Sequence, residues 1–319
     1  MKIKHTLCGL LLIATVVVFQ PAAIFAQGKN ERVVVIVPNL AFPFFAFMKT
    51  QAEDEGKKLG VQITVEDGQG KSPTQSSEVR TAVTQGVDGI VLIPNDVNAL
   101  TPAANEVIAA KIPIVTVDRN VAGTTEPIPH VGADNVAGGV AMAEYVIKKF
   151  PDGARIIFLR GEPGSSPAID RAKGTLETLK AAGDKYKVLA DQTANFKRDQ
   201  GMTVTQNLLT SIGTPPDVII CSNDDMALGA EEALQQAGIP KGSKVMVIGF
   251  DALPEALAKI RSGDQTATIE QSPGKQVRTA LQIIVDHVRK KTPLHDEVIK
   301  PFLVDKTNLD QAERIAEAK

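Results

Sequence analysis

Tryptophan is absent from these 319 residues, tyrosine occurs twice, histidine four times and cysteine twice. Each scarcity removes a class of chemistry. Cys8 lies in an apolar N-terminal stretch, which leaves Cys221 without a partner and excludes a disulfide framework. Cys221 ends an apolar run and reads as a small buried hydrophobe rather than a nucleophile. The histidines, His130 and His295 among them, stand in no metal-ligating spacing and read as structural. After the first apolar run comes Pro38-Asn39-Leu40-Ala41, with no G-x-G-x-x-G, so a dinucleotide fingerprint is missing. Gly161-Glu162-Pro163-Gly164-Ser165-Ser166 lacks the lysine of a phosphate loop and is not a nucleophile elbow. No Ser/His/Asp set can be nominated. No catalytic residue, metal or cofactor is expected.

Charge of one sign is also lacking, with 35 Lys and Arg against 37 Asp and Glu and no basic cluster. That argues against nucleic acid or anionic membrane as the main partner. Lys2 and Lys4 precede an apolar run from Leu7 to Phe19, and Ile24-Phe25-Ala26 offers a small residue before Gln27. Residues 1–26 read as a cleaved signal peptide, with an apolar run too short to span a membrane and ended by Pro21. Cys8 comes too early for lipid attachment. A soluble protein exported to the periplasm is expected. Removing residues 1–26 takes away two lysines and no acid, leaving 33 bases, 37 acids and a net charge of −4.

What the chain does have is a repeated unit: an apolar strand, a polar residue at its carboxyl end, then a helix. Val33–Val37 leads to Asn39, Ile90–Ile93 to Asn95 and Asp96, and Ile114–Val117 to Asp118 and Arg119. Later, Val218–Cys221 leads to Asn223, Asp224 and Asp225, and Val245–Ile248 to Asp251. Continuous Val and Ile runs are buried on both faces and imply parallel sheets covered by helices. Further strands are expected at Ile63–Glu66, Ile156–Leu159 and Lys187–Leu189. Helices are expected over Phe44–Leu59, from Pro73 with Ser72 as N-cap, up to Ala110, and over Asn135–Phe150. Asp88-Gly-Ile-Val-Leu-Ile-Pro-Asn-Asp is echoed by Asp217-Val-Ile-Ile-Cys-Ser-Asn-Asp. The echo predicts two doubly wound α/β lobes facing each other, and ligands bind outside the carboxyl ends of such strands.

Four of the nine phenylalanines after residue 26 lie between 42 and 47. Phe44 and Phe45, at the mouth of the first strand, read as faces for a ligand's polarised C–H bonds, and Phe47 as an ordinary core residue. Asp118-Arg119 pairs an acceptor with a multiple donor at a strand end, suited to hydroxyl groups. Among Asn223, Asp224 and Asp225, Asn223 is assigned to ligand and Asp224 or Asp225 to capping; Asp96 is expected to cap its helix.

These motifs resemble a known family. The set comprises Pro43-Phe44-Phe45, Ile112-Pro113 through Asp118-Arg119, Asp134-Asn135-Val-Ala-Gly-Gly, Asn223-Asp224-Asp225-Met-Ala-Leu-Gly-Ala, Gly249-Phe250-Asp251 and Ala267-Thr-Ile-Glu270-Gln271. From about Val33 to Lys306 the chain is similar to the type 1 periplasmic binding proteins, and within them to the ribose binders. The resemblance implies two lobes joined by three hinge crossovers, with lobe 1 over 30–133 plus 272–303 and lobe 2 over 134–271 plus 304–319. It implies a monosaccharide held between the lobes, delivery to the membrane subunits of an ABC importer, and a monomer. By position, Phe44 and Phe45 resemble the family's stacking aromatics and Phe196 that of the second lobe. Asp118, Arg119, Arg171, Asn223, Asp251 and Gln271 resemble its hydroxyl-binding groups. Where the ribose binders place Ser and Asn, this chain has Pro38 and Phe42, so another pentose, a deoxy sugar or a polyol is as credible as ribose. Arg119 and Arg171 balance Asp118 and Asp251, which fits a neutral ligand. Two alternatives stand beside this reading: a periplasmic signal receptor of the same fold, and a secreted α/β enzyme.

Overall fold

The computed structural model describes residues 31–239 and 245–319; the signal peptide expected over 1–26 lies outside them. Arg32–Val37 (β1), Gln62–Asp67 (β2), Gly89–Leu92 (β3), Ile114–Val117 (β4) and His130–Ala133 (β5) alternate with Pro43–Leu59 (α1), Ser72–Gln85 (α2) and Thr101–Ala109 (α3). The strands lie parallel in the order β2-β1-β3-β4-β5, and Glu297–Ile299 (β11) adds to the far edge. Val33 pairs with Ile63 on one side and Gly89 on the other, and Val33 to Val37 are all buried. Burying each such side chain on both faces stabilises the fold by about 1.5–3 kcal/mol.

A second sheet repeats the first. Asn135–Lys149 (α4), Ala154–Arg160 (β6), Ser166–Ala181 (α5), Tyr186–Thr193 (β7), Arg198–Ile212 (α6), Val218–Cys221 (β8), Asp224–Gln236 (α7), Met246–Ile248 (β9), Pro254–Ser262 (α8) and Ala267–Glu270 (β10) follow in order. The strand order is β7-β6-β8-β9-β10, matching the first lobe strand for strand. Phe302–Asp305 (β12) closes the edge antiparallel to β10. Pro273–Lys290 (α9) returns to the first lobe, where it packs against α1, β3, β4 and β5. The chain therefore passes between the sheets three times: at Ala133–Asn135, at Glu270–Pro273 and at Ile299–Phe302. Among the described residues no helix is long and apolar enough to cross a membrane.

The elements differ from the sequence reading mainly at their ends. Helix α1 begins at Pro43, whose fixed φ suits a first turn, and stops at Gly60, left-handed at φ 66°. Lys71 takes the N-cap position of α2 and Ser72 becomes its first residue, which still places Pro73 in the first turn. Asp96 does not cap α3, whose N-cap is Leu100; its carboxylate instead holds the preceding turn, accepting from Asn98 and Ala99 N–H at 2.8 Å each. The reading from sequence did not include β5, β10, β11 and β12, which are strands of four residues or fewer and show little periodicity. Strand β7 runs well past Lys187–Leu189 because it is a polar edge strand. Phe47 is half-buried, and Arg314 lies 4.2 Å above its ring, so the C-terminal segment covers it.

Candidate functional site

Doubly wound sheets open a crevice at the point where strand order reverses, here between β1 and β3 and between β6 and β8. The two crevices face one another. Between them lies a void of about 370 Å³, counting the part open to solvent, in the lower range for small-molecule sites. Phe42, Phe44, Phe45, Asp118, Arg119, Arg171, Phe196, Asn223, Asp251 and Gln271 all line it, and Pro167 and Asp225 complete the wall.

The first lobe supplies the aromatics. Phe45 meets Phe42 at 6.2 Å and Phe44 at 5.2 Å, both edge to face, so each ring's position fixes the next. Phe42 also packs against the core of the second lobe. Asp118 and Arg119 follow β4 and are 4% and 3% exposed. The Arg119 guanidinium sits between Phe45, at 5.4 Å, and Phe196 of the other lobe, at 5.7 Å. It donates to Asn95 O at 3.1 Å and lies 3.9 Å from Asp118. Asp118 Oδ1 and Arg119 Nε are buried and have no hydrogen-bond partner among the described residues. Burial raises the Asp118 pKa against the opposing pull of Arg119 and Arg171.

The second lobe supplies a connected polar network. Gly139 and Gly174 let α4 and α5 touch backbone to backbone; a Cβ on either would collide with the other helix. This contact brings Asn135 Oδ1 to 2.7 Å from Arg171 Nε. Arg171 also donates to Ser222 O at 2.7 Å and to Asp251 Oδ1 at 3.4 Å, over the Phe250 ring at 3.6 Å. Gln271 donates to the same Asp251 oxygen at 2.6 Å, and Gln276 holds Gln271 through its carbonyl at 2.9 Å. Burial lowers the Arg171 pKa and pushes Asp251 up to about 7, each countered by the other's charge. Asp118, Phe196 and Asp251 have φ of 58°, 60° and 109°, backbone strain concentrated where side chains are aimed into the void.

Asn223 combines the two roles that were divided among three residues. Its Oδ1 caps α7 through Met226 N–H at 3.0 Å, and its amide donates to Phe196 O at 3.1 Å while lining the void. Asp224 does not cap. It is fully buried and accepts from Leu253 N–H, Thr268 Oγ1 and Gln265 Nε2, tying the start of α7 to the N-cap of α8 and to β10. Asp225 is no cap either; its carboxylate lines the void, 3.9 Å from Arg198, and burial raises its pKa to about 6. Asp225 thus adds a third carboxylate to the wall, with Arg198 behind it as a third guanidinium, a pair absent from the charge balance read from sequence. Position two of a helix gave no sign of this, since acids are common there for the helix dipole alone.

Two like sheets whose crowns meet across one polar, aromatic-walled void define a two-lobe solute receptor. Residues 33–292 match the model of the periplasmic binding protein domain, and the chain belongs to that family. It is 36% identical to the ribose import binding protein RbsB of Escherichia coli K12 over 290 residues, 89% of this chain and 95% of that protein. It is 48% identical to the Caulobacter myo-inositol binding protein, solved with myo-inositol bound, with a TM-score of 0.89 over 91% of this chain and 98% of that one. A solute binding protein from Bacillus halodurans C-125 with bound myo-inositol shares 28% identity and a TM-score of 0.84, covering 92% and 99% of the two chains. These relatives are binding proteins.

Proposed function

We propose that this protein is an exported periplasmic receptor that captures a neutral cyclic polyol of the myo-inositol class and hands it to the membrane subunits of an ABC importer, with no covalent chemistry. The observation that carries the reading is the wall of the void. Acceptors and donors, including the buried unpartnered Asp118 Oδ1 and Arg119 Nε, are set between aromatic faces contributed by both lobes. A buried polar atom without a partner costs roughly 1–3 kcal/mol, and a ring bearing a hydroxyl on every carbon offers donors and acceptors on all sides. The ten residues Phe42, Phe44, Phe45, Asp118, Arg119, Arg171, Phe196, Asn223, Asp251 and Gln271 are its contacts, with Asp225 added. Each guanidinium of the lining already faces a carboxylate, which makes a sugar acid or phosphate a poor guest. The higher identity to a protein seen with myo-inositol than to a ribose import protein supports a polyol over ribose, as does Phe42 in place of the ribose binders' amide.

The bodies that close are the two lobes with the limits expected from sequence, 30–133 with 272–303 and 134–271 with 304–319, acting as a monomer. Contacts made by both crowns favour the closed state. Calorimetry on the purified protein with myo-inositol, ribose, xylitol and D-allose tests the reading. Myo-inositol should bind at micromolar Kd or tighter, and ribose about tenfold or more weakly. Ribose as the tightest ligand, or no polyol binding, would overturn it. Cell fractionation should recover the processed chain in the periplasm.

A further inference from the structure

Gly161–Ser166 gave no phosphate loop and no nucleophile, yet the structure builds it with care. Ser165 N–H donates to Glu162 O at 3.2 Å, Pro163 and Gly164 take the central positions, and Gly164 has φ 84°, the form of a type II turn. Gly161 leaves the space that the Phe196 ring occupies, and Asp96 of the first lobe sits where a Gly164 Cβ would be. Gly161 O accepts from Thr193 Oγ1 of its own lobe at 2.7 Å, and three further hydrogen bonds cross from this segment to the first lobe. Glu162 Oε2 accepts from Arg119 Nη1 at 3.2 Å, Gly164 O from Val97 N–H at 2.9 Å, and Ser166 Oγ from Asn120 N–H at 3.1 Å. The receiving loop is held in shape by the Asp96 turn and by Ala122 N–H on Val97 O at 2.8 Å.

These bonds join elements of different sheets and need no ligand, so they exist only while the mouth is shut. We propose that the Gly161–Ser166 turn is a closing latch, and that Glu162 is a positioning residue that holds Arg119 over the ligand from the opposite lobe. The proposal rests on the two-lobe receptor reading for its effect on binding. Opening must break the latch before the ligand can leave, so the latch governs release far more than capture.

Glu162→Gln removes the charge and Gly164→Ala places a methyl against Asp96. Release of myo-inositol, measured by stopped flow, should quicken about fivefold in the first and about tenfold in the second, with association within about twofold of wild type. Added salt should speed release from wild type and leave Glu162→Gln unmoved, which a purely structural role for Glu162 would not produce. Small-angle scattering of the ligand-free proteins should give larger radii for both variants than for wild type. Release rates and ligand-free radii equal to wild type would overturn the latch. If Gly164→Ala fails to fold, Glu162→Gln decides alone. If wild type binds no myo-inositol, the polyol reading falls and the scattering still judges the latch.

Discussion

The two crowns face the same void but are built in opposite ways. In the second lobe Arg171, Asn135, Asp251 and Gln271 are bonded to one another, and Gln276, at the start of the returning α9, holds Gln271 from behind. In the first lobe the aromatic rings are locked edge to face, while Asp118 Oδ1 and Arg119 Nε lack partners among the described residues. One half is a largely bonded polar surface and the other an apolar wall in which the charged pair Asp118 and Arg119 keeps unspent hydrogen-bonding capacity. A preorganised half-site binds with little ordering cost. The second lobe is thus ordered by its own bonds, while Asp118 Oδ1 and Arg119 Nε stay unpartnered even with the cross-lobe bonds formed.

Removing Arg171 should produce the largest effect. Arg171→Ala leaves the buried Asp251 without its cation and Asn135 and Ser222 without a donor, costing about 3–5 kcal/mol of stability by denaturant melts and about 2–4 kcal/mol of binding by calorimetry. Asp118→Asn is its counterpart in the first lobe. It should weaken binding by roughly 1–3 kcal/mol and leave stability near wild type, because no internal bond depends on Asp118 Oδ1. Equal stability losses in the two variants would break the contrast between the lobes.

Asp225 sharpens the comparison from within the second lobe, because it stands outside the bonded network. Its pKa is raised to about 6 in the folded protein, chiefly by burial, from 3.8. The folded state then binds the proton more tightly than the unfolded state. Its destabilising effect is absent below about pH 4, grows as pH rises through the window, and is complete above about pH 6. Compared with wild type, Asp225→Asn should therefore gain stability between pH 4 and pH 7, by about 3 kcal/mol at most. A difference between the two proteins that stays flat with pH would show that Asp225 is solvated.

The smallest effect concerns the aromatic wall. Phe42 lines the void and touches the cores of both lobes. Phe42→Asn should lower affinity for myo-inositol and narrow its margin over ribose by roughly tenfold, or about 1.4 kcal/mol, by restoring an amide that can meet a hydroxyl. Equal losses for both ligands would mean that Phe42 acts only as packing between the lobes.

Much of this arrangement could be read directly from the chain. Val33–Val37 and Val218–Cys221 announce buried parallel strands, because only a strand covered on both faces tolerates unbroken Val and Ile. The polar residue after each run marks the carboxyl end, where crevices form, so Asp118, Arg119 and Asn223 could be placed at the void from order alone. Arg171, Phe196 and Gln271 were placed by resemblance. Their local sequence carries no signal, since a helical arginine or a strand-end glutamine occurs in any soluble protein.

The sequence determined the alternation of strands and helices, the duplication of the lobe and the positions of the strand ends, all of which follow from hydrophobic period and local turn chemistry. Only the tertiary structure decided which side chains act together. Asp225 turned toward the void while its neighbour Asp224 turned into the core to tie the N-cap of α8 to β10, and Asn223 took the cap as well as the site. Arg171 found Asn135 across a glycine-lined helix contact, and Glu162 found Arg119 across the mouth. These partners are 36 and 43 residues apart along the chain. Charge and hydrogen bonding act over a few ångströms, so their outcome depends on the packing of the whole fold, to which no local pattern has access.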